Sequence, residues 1–427
     1  MKLWLTLFFT LLFLPWEVST QTTKSLDDYI RFAHNHSPVL KEIYNQQQIN
    51  FLQKDITIAQ FKRPSVGVTG DVLFAPYFLN KDQILSVTNN PEQKAYGYDG
   101  GITNGGLYAV LLNASFPLFK DRMVQTTNRQ HTIQNEWLQH QIRYQQHQIS
   151  KAVTDQYIIV YTYQQLLLHL DTIAKSISER KKIIELLVQQ ALLPQDEYQL
   201  LEIELSIRQN EYFQQLGPLY EAFNQLNNLC GIEDSVLYPL QAPVIQSQRL
   251  TDAFAILEKY RLDSISIIAA QDIDELKYKP QLDAFANTGI NAINPAYALH
   301  NVGLSAGLHL SIPLYDGGQR TVTRQQNTYL LQNLNAYKDQ DLLEIKNNLS
   351  SILRQIKLAQ NSLVSFNEQL QKQARLLETI QLKVISGQSS ITAYRLSLQD
   401  YIATNENILQ AQSKLWLLLS QFNYINW

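Results

Sequence analysis

The chain repeats itself at a single offset of 196 residues. The stretch ASFPLFKDRM around Pro117 is echoed by LSIPLYDGGQ around Pro313 (313 − 117 = 196). Further identities share the offset: Tyr198 with Tyr394, Leu200 with Leu396, Gln214 with Gln410 and Asn227 with Asn423. One register held along a long stretch is the signature of a duplicated unit. The sequence therefore predicts two equivalent halves, 21–230 and 251–427, joined by an extended linker over 231–250.

Long helices dominate each half. Apolar residues of the second half recur at alternating steps of four and three: Ile345, Leu349, Ile352, Ile356, Ala359 and Leu363. A sustained period of about 3.5 residues makes helices supercoil on their neighbours. We therefore expect coiled-coil helices over 121–190 and 319–386. The other predicted helices are 195–228 and 391–422, each after a short connection, and about 25–62 and 251–278, each before the strands.

Four stretches have the alternation of β-strands, about 64–75 and 106–117 in the first half, and 280–291 and 301–313 in the second. Period two places alternate residues on opposite faces of a sheet. In the last stretch one face would carry Leu304, Leu308 and Leu310, and the other Ser305, Gly307 and His309. An apolar face opposite a polar one is typical of a transmembrane β-barrel wall.

Four strands do not close a barrel, and open strand edges are not tolerated in lipid. Several chains must therefore share one barrel. Two chains would give eight strands, whose interior is filled by side chains, whereas three would give twelve strands and a water-filled lumen. Strand counting leaves both numbers of chains open. The predicted fold is a mixed α and β membrane protein, with four barrel strands and long coiled-coil helices in each chain.

The residues at the strand ends are also consistent with a β-barrel wall. Pro117 and Pro313 are predicted to end their strands, and Gly317 and Gly318 to supply the dihedral angles that redirect the chain into a helix. Aromatic residues would form the girdles at the two membrane surfaces. The residues are Tyr77, Phe78, Tyr96 and Tyr98 at one end and Phe116, Phe119 and Tyr315 at the other.

The first twenty residues predict export. Lys2, a short apolar core and a small-residue flank are typical of a secretory signal peptide, which we expect to cover 1–20. No later apolar run is long enough for a transmembrane helix. Cys230 is the single cysteine, so an intrachain disulfide is excluded. The net charge of −3 gives no basic field for nucleic acid.

No catalytic, cofactor or metal site is predicted. His34 and His36 would point to different faces of a helix, and His140 and His147 share a face without a neighbouring cysteine or acid pair. Gly317 and Gly318 do not belong to a phosphate-binding loop pattern. A passive channel is therefore favoured over an enzyme.

The order of these elements resembles the TolC-like outer membrane efflux proteins. The resemblance covers the mature chain and is carried by FPLFKD and IPLYDGGQR after the second strands and by SGQSSITAYRLSLQDYI after the second long helix. It implies a homotrimer with a twelve-stranded barrel in outer membrane lipid and an α-helical barrel in the periplasm. It also implies docking to a periplasmic adaptor and an inner-membrane pump, in a tripartite efflux or type I secretion system.

The resemblance also places a gate where the helical hairpins converge. The expected tips are Ala191, Leu192, Leu193 and Pro194 in the first half and Gly387, Gln388 and Ser389 in the second. The first tip departs from the pattern because it lacks the glycine of the second. Gate candidates near the tips are Glu378, Arg180 and Lys181, with solvated surface charge as the alternative.

Two other classes are weighed against a channel. A fibrous coiled coil would explain the apolar seams but not the four alternating strands. A periplasmic adaptor would have one helical hairpin, whereas this sequence predicts two.

Overall fold

The computed structural model describes residues 24–86, 88, 91–97, 106–234, 236–251, 254–292 and 295–427. The predicted signal peptide and Tyr98 lie outside these residues. Two compact units result. The hairpin unit contains the described part of 1–41 with Ile142–Ile256 and Asp341–Trp427, and the sheet unit contains Glu42–Gln141 and Leu257–Gln340.

The described elements follow in chain order. The helices are α1 Leu26–His36, α2 Pro38–Lys62, α3 Asp121–Gln189, α4 Gln195–Cys230, α5 Glu258–Leu276, α6 Gln319–Ile385 and α7 Ile391–Ile425. The strands are β1 Ser65–Phe74, β2 Tyr77–Asn80, β3 Gln83–Ser86, β4 Tyr96–Gly97, β5 Gly106–Leu118, β6 Gln281–Ala292 and β7 Val302–Ser311. Short 3₁₀ turns precede α5 and β7. No described helix is both long and apolar enough to cross a membrane.

The expected single helix over 25–62 is wrong, because the chain forms α1 and α2. Ser25 caps α1 by accepting from the backbone N–H of Asp28, whose carboxylate accepts from Ser25 in return. Ser37 is extended, with φ −64° and ψ 118°. Pro38 disfavours the helical conformation of the residue before it, which explains the break. Proline is then well placed to begin α2, where a helix needs no backbone donor.

The sheet unit is built on one antiparallel sheet with strand order β1-β5-β6-β7. Strands β5 and β6 are the inner pair and come from different halves of the sequence. Among the described residues, β1 and β7 pair on one side only, so both edges of the sheet are open.

A second, three-stranded sheet of order β3-β2-β4 lies between β1 and β5 in the sequence, where no strand was predicted. Lys81 and Asp82 have φ of 50° and 63° at the β2–β3 turn, the sign that a tight hairpin requires. Asn80 is buried and donates to the Ser86 hydroxyl at 2.8 Å. Tyr77 is only 2% exposed, so its assignment to a membrane girdle is wrong.

Two apolar cores hold the hairpin unit together. The first packs α1 against α3 and α4 around Tyr29, Tyr157 and Leu226. The Tyr157 hydroxyl donates to the carbonyl of Gln241 at 2.8 Å, which attaches the extended segment after α4 to this core. The second core joins the ends of both hairpins, and its fully or nearly buried members are Ile177, Ile184, Leu201, Ile391, Tyr394 and Leu398.

Candidate functional site

The strand register places most apolar residues of the four strands on one face of the main sheet, which we call the wall face. Val68 pairs with Leu112, Leu112 with Thr288, and Thr288 with Leu304. Cross-strand partners lie on the same face of a sheet. The side chains of this face are open in the single chain, with Leu304 79% exposed. Other exposed members are Val66, Val72, Phe74, Val110, Phe116, Val302, Leu308 and Leu310.

The opposite face is mainly polar, and we call it the inner face. Asn113 donates to the Thr69 hydroxyl at 2.7 Å across the β1–β5 pair. Asp283 pairs with His309 across the β6–β7 pair. Leu73, Leu111 and Phe285 are apolar exceptions on this face. The Phe285 ring covers Gly307, where an added Cβ would lie 2.7 Å from the ring. The Gly307 position is therefore filled by a neighbouring aromatic ring.

The two strand-to-helix turns differ. Pro117 lies inside β5, so its expected role as the strand end is wrong, and the chain turns at Phe119 with φ 56°. Pro313 follows β7 by two residues. Gly317 and Gly318 have φ of 70° and 84°.

Asp316, in this second turn, caps the N-terminus of α6. Its Oδ1 accepts from the backbone N–H of Gly318 at 2.9 Å, and its Oδ2 accepts from that of Arg320 at 2.7 Å. These hydrogen bonds hold the pKa of Asp316 below its ordinary value. A carboxylate at a helix N-terminus satisfies donors that would otherwise lack partners.

The two hairpin tips share one backbone geometry despite their different sequences. At the end of α6, Gly387 donates to the carbonyl of Val384 at 3.0 Å and Gln388 to that of Lys383 at 2.7 Å. This pair of bonds around a left-handed residue is a Schellman cap. At the end of α3, Ala191 and Leu192 make the equivalent bonds at 2.9 and 2.8 Å.

Ala191 therefore occupies the position of Gly387, at the repeat offset of 196 residues (387 − 191). Its φ is 56°, in the left-handed region that favours glycine. The remaining tip residues complete the turns. Leu192 is 64% exposed, Leu193 is half-buried, Pro194 precedes α4, Gln388 is exposed and Ser389 is half-buried.

The tip region joins the two hairpins through polar contacts. Glu197, in the first turn of α4, accepts from the backbone N–H of Ile391 at 2.8 Å, which caps the start of α7. Arg180 on α3 donates to the Tyr394 hydroxyl on α7 and to Gln381 Oε1 on α6, the latter at 2.8 Å. Burial lowers the pKa of Arg180.

The three gate candidates do not pair as a set in the described part of the chain. Lys181 forms its ion pair with Glu202 at 2.6 Å, within one hairpin. Glu378 is exposed and lines a groove together with Arg180. No ion pair joins Glu378 to Arg180 or Lys181 in the described part of the chain. A role for Glu378 in a gate stays a prediction.

Sequence reasoning missed a buried ionic cluster on α4. Glu204 is fully buried, and Arg208 donates to it at 2.9 Å and to Glu211 at 2.7 Å. Glu406 of α7 lies close by, and burial, together with the Glu211 charge, raises the pKa of its carboxyl. In the sequence, the only sign of this cluster is that Arg208 lies four residues after Glu204 and three before Glu211. Such spacing on a helix is more typical of solvated ion pairs.

The described residues contain no group of three or more His, Cys, Asp or Glu side chains arranged to hold a metal ion.

Solved structures with a similar fold identify the architecture. The chain aligns with CusC at 12% identity and a TM-score of 0.70, over 95% of this chain and 92% of that one. VceC from Vibrio cholerae aligns at 12% identity with a TM-score of 0.68, over 94% and 96%. MtrE from Neisseria gonorrhoeae aligns at 11% identity with a TM-score of 0.68, over 94% and 88%. The chain has the fold of outer membrane channels.

This channel fold accounts for both described units, since the alignments cover nearly the whole chain. The resemblance to TolC-like proteins is therefore confirmed for the fold. A scan of protein-family models and a search of curated proteins found no match. The low identities mean that the fold, rather than any shared site, is the common property.

Proposed function

We propose that this chain is the outer membrane channel of a tripartite efflux or type I secretion system. Three copies pair their open strand edges and close a twelve-stranded barrel in the outer membrane. The helical hairpins continue the channel into the periplasm, where their tips meet a periplasmic adaptor and an inner-membrane pump. The channel is a passive conduit for small molecules or proteins, and its partners supply the energy.

The wall face carries this proposal. Four strands place most of their apolar side chains on one face and mainly polar side chains on the other, and the apolar face is open in the single chain. Lipid covers such a face, and water fills the side of the polar face. The open edges at β1 and β7 require partners, because unpaired backbone groups are not tolerated in lipid.

Three chains suit the polar inner face better than two. An eight-stranded barrel has an interior that side chains fill, whereas a larger barrel leaves an aqueous channel. Small and polar inner residues such as Ser305 and Asn113 favour the aqueous case. Four strands per chain then give twelve strands in a homotrimer.

Conductance of the purified trimer in a planar bilayer tests the proposal. Wild type should insert as a trimer and conduct weakly, with the tips closed. Glu378→Ala should conduct more than wild type, because an ion pair from Glu378 to a neighbouring subunit, formed three times in the trimer, would contribute about 2–3 kcal/mol and bias a closed state by about 30- to 150-fold.

Glu368→Ala is the matched control, since Glu368 is also an exposed acid on α6. It should leave conductance unchanged. A chain that forms no trimer and no conducting pore would refute the proposed function. Equal conductance of the wild type and Glu378→Ala would refute only the role of Glu378.

A further inference from the structure

A groove lies in the sheet unit where strands meet helices. It has a volume of about 340 Å³ and lies between the end of β5, the start of α3 and the start of β6. Sites for small molecules and headgroups begin at about this size. The charged residues that line it are Lys120, Arg122 and Lys279, and no acid lines it.

The floor of the groove continues the wall face. Leu118 pairs with Leu282, and Leu282 pairs with Leu310, so these three side chains form one cross-strand row. They also line the groove. The neighbouring Phe119 is 86% exposed. An apolar chain lying along the wall face would thus run directly into this groove.

Most basic residues at this end of the sheet are already neutralised. Arg320 and Arg324 both bind Glu275, and these bonds lower the pKa of that carboxyl to about 2. Lys62 pairs with Asp121 at 2.8 Å. Lys120 donates to Gln281 at 3.1 Å, and its ammonium group lies 3.8 Å from Asp283.

Two basic residues that line the groove are not neutralised in this way. Arg122 and Lys279 are exposed, and neither forms an ion pair within the described part of the chain. Both line the groove together with the apolar row. Free positive charge next to an exposed apolar surface matches a ligand with an anionic head and an apolar tail.

We infer that this groove binds the phosphate of an anionic phospholipid, with an acyl chain on the row Leu118, Leu282 and Leu310. The inference rests on the proposed function, since it needs the wall face to lie in lipid. Arg122 supplies paired donors suited to phosphate oxygens, and Lys279 supplies a point charge. Leu118 and Leu282 of this row lie on the inner strands β5 and β6, and Leu310 lies on the edge strand β7.

Native mass spectrometry of the detergent-solubilised full chain tests this inference. Wild type, the double variant Arg122→Gln/Lys279→Gln and the control Arg63→Gln are each titrated with phosphatidylglycerol, phosphatidylcholine and inorganic phosphate. Arg63 is an exposed base between α2 and β1 that does not line the groove. Each lost base should weaken phosphatidylglycerol binding about fivefold, so the double variant should lose about 25-fold.

Arg63→Gln should bind phosphatidylglycerol like wild type, and phosphatidylcholine should bind all three proteins alike. Equal phosphatidylglycerol affinity in wild type and the double variant would overturn the inference. The inference would also be overturned if inorganic phosphate bound as tightly as phosphatidylglycerol. It would be overturned as well if the double variant altered the oligomeric state of the protein but not its affinity for phosphatidylglycerol. A trimer that conducts but does not select phosphatidylglycerol refutes this inference and leaves the proposed function intact.

Discussion

A single arginine on either face of β7 should separate the wall face from the inner face. Strand β7 spans Val302–Ser311, so its midpoint falls between Ala306 and Gly307. Leu308 and Ser305 lie one and a half residues to either side, about 5 Å along the strand. They are therefore at similar depth but on opposite faces. Gly307 itself is a poor choice, since the Phe285 ring occupies the space a side chain would need.

The free-energy cost of each arginine depends on its depth in the bilayer. An arginine that faces lipid near the bilayer midplane costs about 2–4 kcal/mol. Three copies in the proposed trimer would cost about 6–12 kcal/mol, which is comparable to the whole stability of a typical domain. Leu308→Arg should therefore prevent accumulation of folded trimer. Ser305→Arg should cost less than about 1 kcal/mol, because its partner across the strands is Asn287 on the inner face.

Folding into phospholipid vesicles, followed by urea titration and native electrophoresis, measures both variants. Ser305→Arg should reach the yield of wild-type trimer and shift ion selectivity toward anions. Equal losses in Leu308→Arg and Ser305→Arg would mean that the two faces meet the same environment. That result would refute the assignment of the wall face to lipid.

Two further predictions concern the hairpin unit. Ala191→Gly should relieve about 0.5–1 kcal/mol of left-handed backbone strain and so slow hydrogen exchange at the Leu192 amide. Gly387→Ala should lower the free energy of local opening by about 1 kcal/mol and so speed exchange at the Gln388 amide. If both variants shifted exchange in the same direction, the shared cap geometry would be contradicted. Because burial raises the pKa of Glu406, the neutral acid suits the fold, and the stability that this group contributes falls as the pH rises through the folded pKa. Glu406→Gln should therefore raise the urea midpoint at neutral pH and leave it unchanged well below the ordinary pKa of 4.5; an equal effect at both pH values would rule out titration as its cause.

Periodic segments were the easiest part of the fold to predict from sequence. The helix expected over 121–190 spans Asp121–Gln189, and that over 319–386 spans Gln319–Ile385. Long helices buried along one seam leave a strong period in the sequence. The small sheet of β2, β3 and β4 left no such trace, because its strands have only two to four residues.

The candidate site was harder to predict because its features depend on contacts between distant segments. The buried Glu204 and Arg208 look like a solvated helical pair until α7 is packed against them. The cross-hairpin bond from Ile391 to Glu197 joins residues 194 apart in sequence. The first tip was expected to depart from the second because it lacks a glycine, but Ala191 adopts the left-handed backbone of Gly387 with φ 56°.

The open edges of the sheet constrain when the proposed trimer can form. Strand β1 has ten residues, and about ten backbone groups of such an edge point outward without a partner. Each unpaired group in lipid costs several kcal/mol, so one open edge would outweigh the stability of about 5–15 kcal/mol that a folded domain has. A monomer with its wall face in lipid is therefore not a stable intermediate. Lipid can cover the apolar wall of one chain, but in the proposed trimer only β1 and β7 of neighbouring chains can satisfy the edges, so edge pairing must precede or accompany membrane insertion.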